Sequence, residues 1–268
     1  MKVFISADLE GISGVVSMEE IFAGKPGYPA ACKAMTGDVN AAIEGALEAG
    51  ADEIVVFDAH SDGRNVDLDQ LHSKARIIRG QPLPFMIAGL DETFAAVFLV
   101  GYHAKVGTAG GVMDHTYTAR LNRVAINGRE FGELGLAAAH AGSFAVPVAL
   151  VSGDDKLREE AREFVPDALA AVVKTGLGRH SAECLSLGQA RQAIREAAKQ
   201  SLGRLNRMRP FTVRLPLTLE VEYPTTASVE RAICLPGVER RGDRSIACTL
   251  DSVPELTGLL SVLAFLAL

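Results

Sequence analysis

Four apolar runs, each about one β-strand long and each ending in an acid or an imidazole, constrain this chain more than any other feature. KVFISA (2–7) runs into Asp8 and Glu10, and EIVVFDAH (53–60) ends on Asp58 and His60. AAVFLVGYH (95–103) ends on His103, and PVALVSGDD (147–155) ends on Asp154 and Asp155. Uninterrupted Val, Ile, Leu and Phe leave no polar face for solvent, so such strands belong in a parallel sheet covered by helices. Helical patterns lie between them: 36–50, capped by Thr36 or Asp38 and stopped by Gly50, then 133–141 and 155–164. The expected fold class is α/β, a layered domain with a mainly parallel sheet over residues 1–165 and right-handed crossovers.

After about residue 170 the pattern changes. A helix over 187–206 leads to Pro210, and FTVRLPLTLEVEY (211–223) alternates apolar and polar residues like a half-exposed strand. A short helix (225–234), a strand (243–250) and a final helix (253–268) follow. Residues 166–268 are therefore expected to form a smaller C-terminal α+β domain.

In open α/β sheets ligands bind just beyond the carboxyl ends of the strands. Here four such ends carry acids and imidazoles to one rim. Residues two apart on a strand point the same way, so Asp8 can aim with Glu10, and Asp58 with His60. Converging carboxylates repel one another unless a cation joins them. Mixed carboxylate and imidazole donors suit zinc ahead of manganese or iron. Two ions would need about five or six ligands with one bridging carboxylate, and Asp8, central on the first strand, is the natural bridge. Taken singly, each residue has a plainer reading. Asp8 and Glu10 could cap or turn a Gly-rich loop, His60 could sit in a turn, and His103 could be structural. Asp154 and Asp155 read as N-caps of the following helix. Glu133 opens a helix, where the dipole favours a carboxylate without any function. His115, in the Gly-bordered loop GVMDHTY (111–117), could swing over the same rim. The joint pattern favours a metal site.

Composition removes other classes. The net charge is −6, Trp is absent and aromatics are 6%, so neither a basic footprint nor a stacking surface for nucleic acid is present. The longest late apolar run (257–268) has 12 residues, too few to span a membrane. The four cysteines form no C-x-x-C pair and read as small buried hydrophobes. The N-terminal apolar run stops at Asp8, too early for an export signal, which places the protein in the cytoplasm.

The ordered strings D-L-E-G (8–11), D-A-H-S (58–61), G-Y-H-A (101–104), G-V-M-D-H-T (111–116), G-E-L-G (132–135) and G-D-D (153–155) resemble the D-aminopeptidase family, peptidase family M55. The match covers about 1–165, with a looser likeness beyond. The resemblance implies two zinc ions per subunit, with Asp8, Glu10, His60, His103 and Glu133 as ligands. It implies a catalytic His115, acting as nucleophile or proton shuttle. It also implies a ring-shaped homodecamer of stacked pentamers whose active sites face an internal channel, a role in which 166–268 would serve oligomerisation. One departure is visible: the K-V-G-T-A-G-G stretch between His103 and His115 looks one residue longer than the family's loop, which bears on the seating of His115. The expected activity is removal of N-terminal, D-configured amino acids from short peptides or amides by metal-activated water. Two rivals remain at this stage: a metal-dependent phosphoesterase or nucleoside hydrolase, and a non-catalytic metal-binding accessory of peptide uptake.

Overall fold

A computed structural model describes residues 1–81 and 86–267. Its strands, in chain order, are β1 (Lys2–Ala7), β2 (Glu53–Asp58), β3 (Ala75–Ile78), β4 (Ala96–Val100), β5 (Arg123–Ile126) and β6 (Arg129–Glu130). Then come β7 (Val148–Asp154), β8 (Leu169–Gly178), β9 (Ser181–Cys184), β10 (Leu217–Glu222), β11 (Glu239–Arg240) and β12 (Ser245–Leu250). The α-helices are α1 (Met18–Ile21), α2 (Tyr28–Glu48), α3 (Glu133–Ser143), α4 (Asp155–Phe164), α5 (Leu187–Leu202), α6 (Thr226–Ala232) and α7 (Val253–Phe265). Residue 268, the end of the expected last helix, lies outside the described residues.

A seven-stranded sheet runs in the order β3-β2-β1-β4-β7-β8-β9. Its pairs are parallel apart from the antiparallel β8–β9 hairpin. The chain passes from β1 to β2 on one side and reaches β4 on the other. The strand order therefore reverses at β1, and a crevice opens at the carboxyl edge there. Burial on both faces explains why β1, β2, β4 and β7 are nearly all apolar. Val3 and Ile5 pack with Ile43 of α2 and Ile194 of α5 on one face. Phe4, Val55 and Leu99 pack on the other with Leu136 of α3, Leu219 of β10 and Leu260 of α7.

A second, antiparallel sheet of five strands, β11-β12-β10-β5-β6, lies on that second side. The alternation expected in 211–223 appears in β10, where Leu217, Leu219 and Val221 are buried and their neighbours are half-buried. The sheets do not divide at residue 165. β5 and β6, from before it, join the smaller sheet, and β8 and β9, from after it, join the larger.

The rim loops are pressed together by bare backbone. A Cβ on Gly11 would lie 1.8 Å from the Tyr102 carbonyl oxygen, and one on Gly153 would lie 2.2 Å from the same atom. No side chain fits either position, so the loops after β1 and β4 and the end of β7 meet backbone to backbone.

Candidate metal centre

The loop after β1 delivers Asp8 and Glu10 while still joined to its neighbour. The Asp8 N–H donates to Val100 O at 2.9 Å, and that of Gly11 to Gly101 O at 2.7 Å. From β8 the buried Lys174 ammonium reaches up and donates to the carbonyls of Glu10 at 2.6 Å, Ile12 at 3.1 Å and Val15. Burial lowers its pKa to about 8. Beneath the same loop Asp38 of α2 accepts from Ser13 N at 3.0 Å and from the Ser13 hydroxyl.

His60 follows β2, and its turn is braced by Asp58. One Asp58 oxygen accepts from Asn65 N at 2.6 Å and Val66 N at 2.8 Å, and the other accepts from Asn65 Nδ2 at 2.7 Å. Asp58 therefore shapes the loop rather than aiming with His60. Likewise Asp154 caps α4 by accepting from Leu157 N at 2.7 Å, and it also holds Val112 N at 2.8 Å. Asp114 accepts from Gly107 N at 2.7 Å and Arg179 Nε at 2.8 Å, so it clips its loop and stays out of the cluster. Between two residues with positive φ, Met113 (52°) and Tyr117 (65°), that loop turns His115 inward. Glu133 opens α3 and accepts from Tyr117 N at 2.7 Å, which ties helix and loop together.

These elements bring all six expected residues into one cluster. His60 Nδ1 lies 3.3 Å from Asp8 Oδ1 and 3.0 Å from Glu10 Oε2. His103 Nε2 lies 3.4 Å from Asp8 Oδ2 and 3.2 Å from Glu133 Oε1. His115 Nε2 is 3.6 Å from Glu133 Oε1 and 3.9 Å from Glu10 Oε1. Its ring stacks on that of His103 with centroids 4.0 Å apart and planes 8° from parallel.

Each imidazole is fixed by one nitrogen and presents the other. His60 Nε2 faces Ile21 O at 2.8 Å, His103 Nδ1 faces Ala104 O at 3.1 Å, and His115 Nδ1 faces Met113 O at 2.8 Å. A carbonyl only accepts, so each of these nitrogens carries the proton. The opposite nitrogen of each ring is left for a second proton or a metal, the arrangement that fixes metal-ligating histidines in general.

The charges show how strongly the cluster draws positive charge. Burial, with Glu10 beside it, raises Asp8 to about 7. Burial alone would lower His103, but Glu133 and Asp8 raise it to about 10. His60 is likewise raised well above its usual value, against its burial, by Glu10 and Asp8. His115 goes the other way, lowered by burial and by neighbouring His103.

A metal fits these residues. Asp8 Oδ2, Glu10 Oε2 and His103 Nε2 are fully buried and lack a well-formed hydrogen bond, a costly state without a further partner. Two triads, Asp8–Glu10–His103 and His103–His115–Glu133, each offer ligand atoms within 4.8 Å of one another. The oxygen and nitrogen donor set suits zinc. The cluster forms one wall of a cavity of about 600 Å³, whose other walls include Met18, Phe22, Tyr117, Arg120 and Arg179. Sequence reasoning missed both arginines and Lys174, because nothing local in 117–120 or 174–179 marks them as neighbours of the strand ends.

Acids and imidazoles gathered at the switch point of a parallel sheet, facing a cavity of peptide size, define a metallohydrolase of the layered α/β class. The comparisons with known proteins make this specific. The D-aminopeptidase family, M55, matches residues 1–262. A D-aminopeptidase of Bacillus subtilis is 36% identical over 240 residues, covering 89% of this chain and 87% of its own length. A solved structure, described as the Zn-dependent D-aminopeptidase DppA from Bacillus subtilis, a self-compartmentalizing protease, superposes with a TM-score of 0.97. It is 33% identical and covers 100% of this chain and 98% of its own. The chain belongs to peptidase family M55, the D-aminopeptidases.

Proposed function

We propose that this chain uses two zinc ions, held by Asp8, Glu10, His60, His103 and Glu133, to remove N-terminal D-amino acids from short peptides or amides. The observation that carries this reading is the buried cluster itself: three rings each fixed by a backbone carbonyl, with buried carboxylate and imidazole atoms that lack a well-formed hydrogen bond between them. Asp8 turns one oxygen toward His60 and the other toward His103, which suits a bridging carboxylate. Glu10 and His60 stand on one side of it, Glu133 and His103 on the other. Bound there, zinc would lower the pKa of a water toward neutrality and polarise the scissile carbonyl.

His115 handles the proton. Its Nδ1 stays on Met113 O, so Nε2 is the atom that accepts a proton and passes it to the leaving amine. Burial and the neighbouring His103 lower its pKa, which favours the unprotonated form of that nitrogen. The D preference rests on the family and on the named relative, because no residue pattern here encodes stereochemistry.

Assembly is part of the proposal: a homodecamer of stacked pentamers, with active sites facing an inner channel and residues 166–268 contributing to its walls. The relative's description as self-compartmentalizing supports it. So do Leu177 and Phe265, 72% and 87% exposed, whose apolar surface association would cover. A cytoplasmic setting agrees with four free cysteines, and no described helix is long and apolar enough to cross a membrane.

The deciding measurement pairs metal analysis of the purified protein with hydrolysis of D- and L-alanine p-nitroanilides. Two zinc ions per chain and selective release from the D compound are expected. Full activity after exhaustive chelation would sink the reading. Phosphate esters assayed in parallel address the phosphoesterase alternative, and metal-loaded protein inert on every peptide would restore the accessory-protein one.

A further inference from the structure

Arg120 and Arg179 line the same cavity as Asp8, Glu10, His115 and Glu133, but their charges are not equally engaged. Arg179 gives Nε to Asp114 Oδ1 at 2.8 Å and Nη2 to Asp114 O at 3.0 Å, and is neutralised by that carboxylate. Arg120 gives Nη1 to Ala267 O at 3.2 Å and meets no carboxylate among the described residues. Its Nε–Nη2 edge, the pair of donors that takes a carboxylate side-on, meets no acceptor among the described residues. On a chain with a net charge of −6, a guanidinium that meets no acid among the described residues is a local feature of this cavity, not a reflection of overall composition.

The cavity therefore carries both signs of charge: carboxylates and imidazoles that favour a cation or an amine, and the Arg120 guanidinium. His115, Tyr117, Thr118, Ala119 and Arg120 all border the cavity, so the loop runs from the proton-handling residue to the guanidinium along one wall. A short zwitterionic peptide has the same polarity, with its amine and its carboxylate about 7 Å apart in a dipeptide. We infer that Arg120 binds the free α-carboxylate of the substrate, which makes the enzyme selective for very short peptides with an unblocked C terminus. This rests on the aminopeptidase reading above and adds the identity of the group that reads the far end of the substrate.

The test compares D-Ala-D-Ala with its C-terminal amide on the zinc-loaded protein. The wild type is expected to favour the free acid by about tenfold or more in kcat/KM, the worth of one charged hydrogen-bonded contact. That ratio should fall toward one in Arg120→Met and be partly kept in Arg120→Lys. Equal rates on acid and amide in the wild type would overturn the inference without any variant. So would a preference that survives Arg120→Met. D-Alanyl p-nitroanilide separates the two failures. A wild type that cleaves it without telling acid from amide refutes only the role of Arg120, whereas a wild type inert on all three compounds refutes the aminopeptidase reading beneath it.

Discussion

Asp8 sets one oxygen toward each of two histidines, so on the proposed two-zinc reading removing its charge should affect both ions at once. Asp8→Asn is expected to leave less than half of the wild-type zinc and to lower activity at least about 100-fold, read by metal analysis and initial rates. His115→Ala should behave differently: kcat falls about 10²- to 10⁴-fold while zinc content stays near wild type. Zinc lost on that change would make His115 a ligand, a role its place in the triad with His103 and Glu133 would allow. The pH profile gives an independent check. A base works only unprotonated, and the pKa of His115 is pushed below 6.5. The acid limb of kcat should therefore lie below pH 6.5, and it should vanish in any residual activity of His115→Ala. At this scale the strand-end residues were legible, because apolar runs that stop on acids and imidazoles reveal their edge. The aim of Glu133 was not: a helix-opening carboxylate looks the same whether it faces a dipole or a metal. The loop that seats His115 is clipped by Asp114 and Arg179, whose contact spans 65 residues and leaves no local trace.

Elements fix these residues through contacts that tolerate little change. Gly11→Ala places a methyl 1.8 Å from the Tyr102 carbonyl, a clash that neither backbone can relieve alone. A loss of at least about 3 kcal/mol is expected, together with weakened zinc binding; wild-type melting and zinc content would refute it. Behind the site, α3 packs on α7, where the buried His140 places Nδ1 3.2 Å from Thr257 Oγ1. Burial lowers its pKa from 6.5 to about 4. The unfolded chain thus takes up that proton first as pH falls, so the stability from neutral His140 is complete above about pH 6.5 and lost toward pH 4. At about 1.4 kcal/mol per unit this is at most about 3.5 kcal/mol. The gap in unfolding free energy between wild type and His140→Gln should narrow over that range; a constant gap would sink the claim. The buried strands β1, β2, β4 and β7 were readable because both faces are apolar. By contrast α2 begins at Tyr28, not 36, with Pro29 in its first turn, where proline is tolerated. The strands β3, β5 and β6 passed unread, being only two to four residues long.

At the scale of the whole molecule, the expected division at 165 is not where the sheets divide, since each sheet borrows strands from the other half of the chain. Pairing across such distances is set by the assembled core, not by local pattern. Assembly is testable directly: light scattering should give ten copies of the 28.4 kDa chain, and a mass of one copy would end the compartment proposal. The bare-backbone contact around the Tyr102 carbonyl also bears on how this enzyme can be adapted. With glycine required on both sides, the floor of the site has nowhere to store sequence variation. New substrate tastes have to be written into the walls, at Met18, Phe22 and the 117–120 stretch. A mutational library confined to those positions would sample new pocket shapes while leaving the loops after β1, β2 and β4 in register.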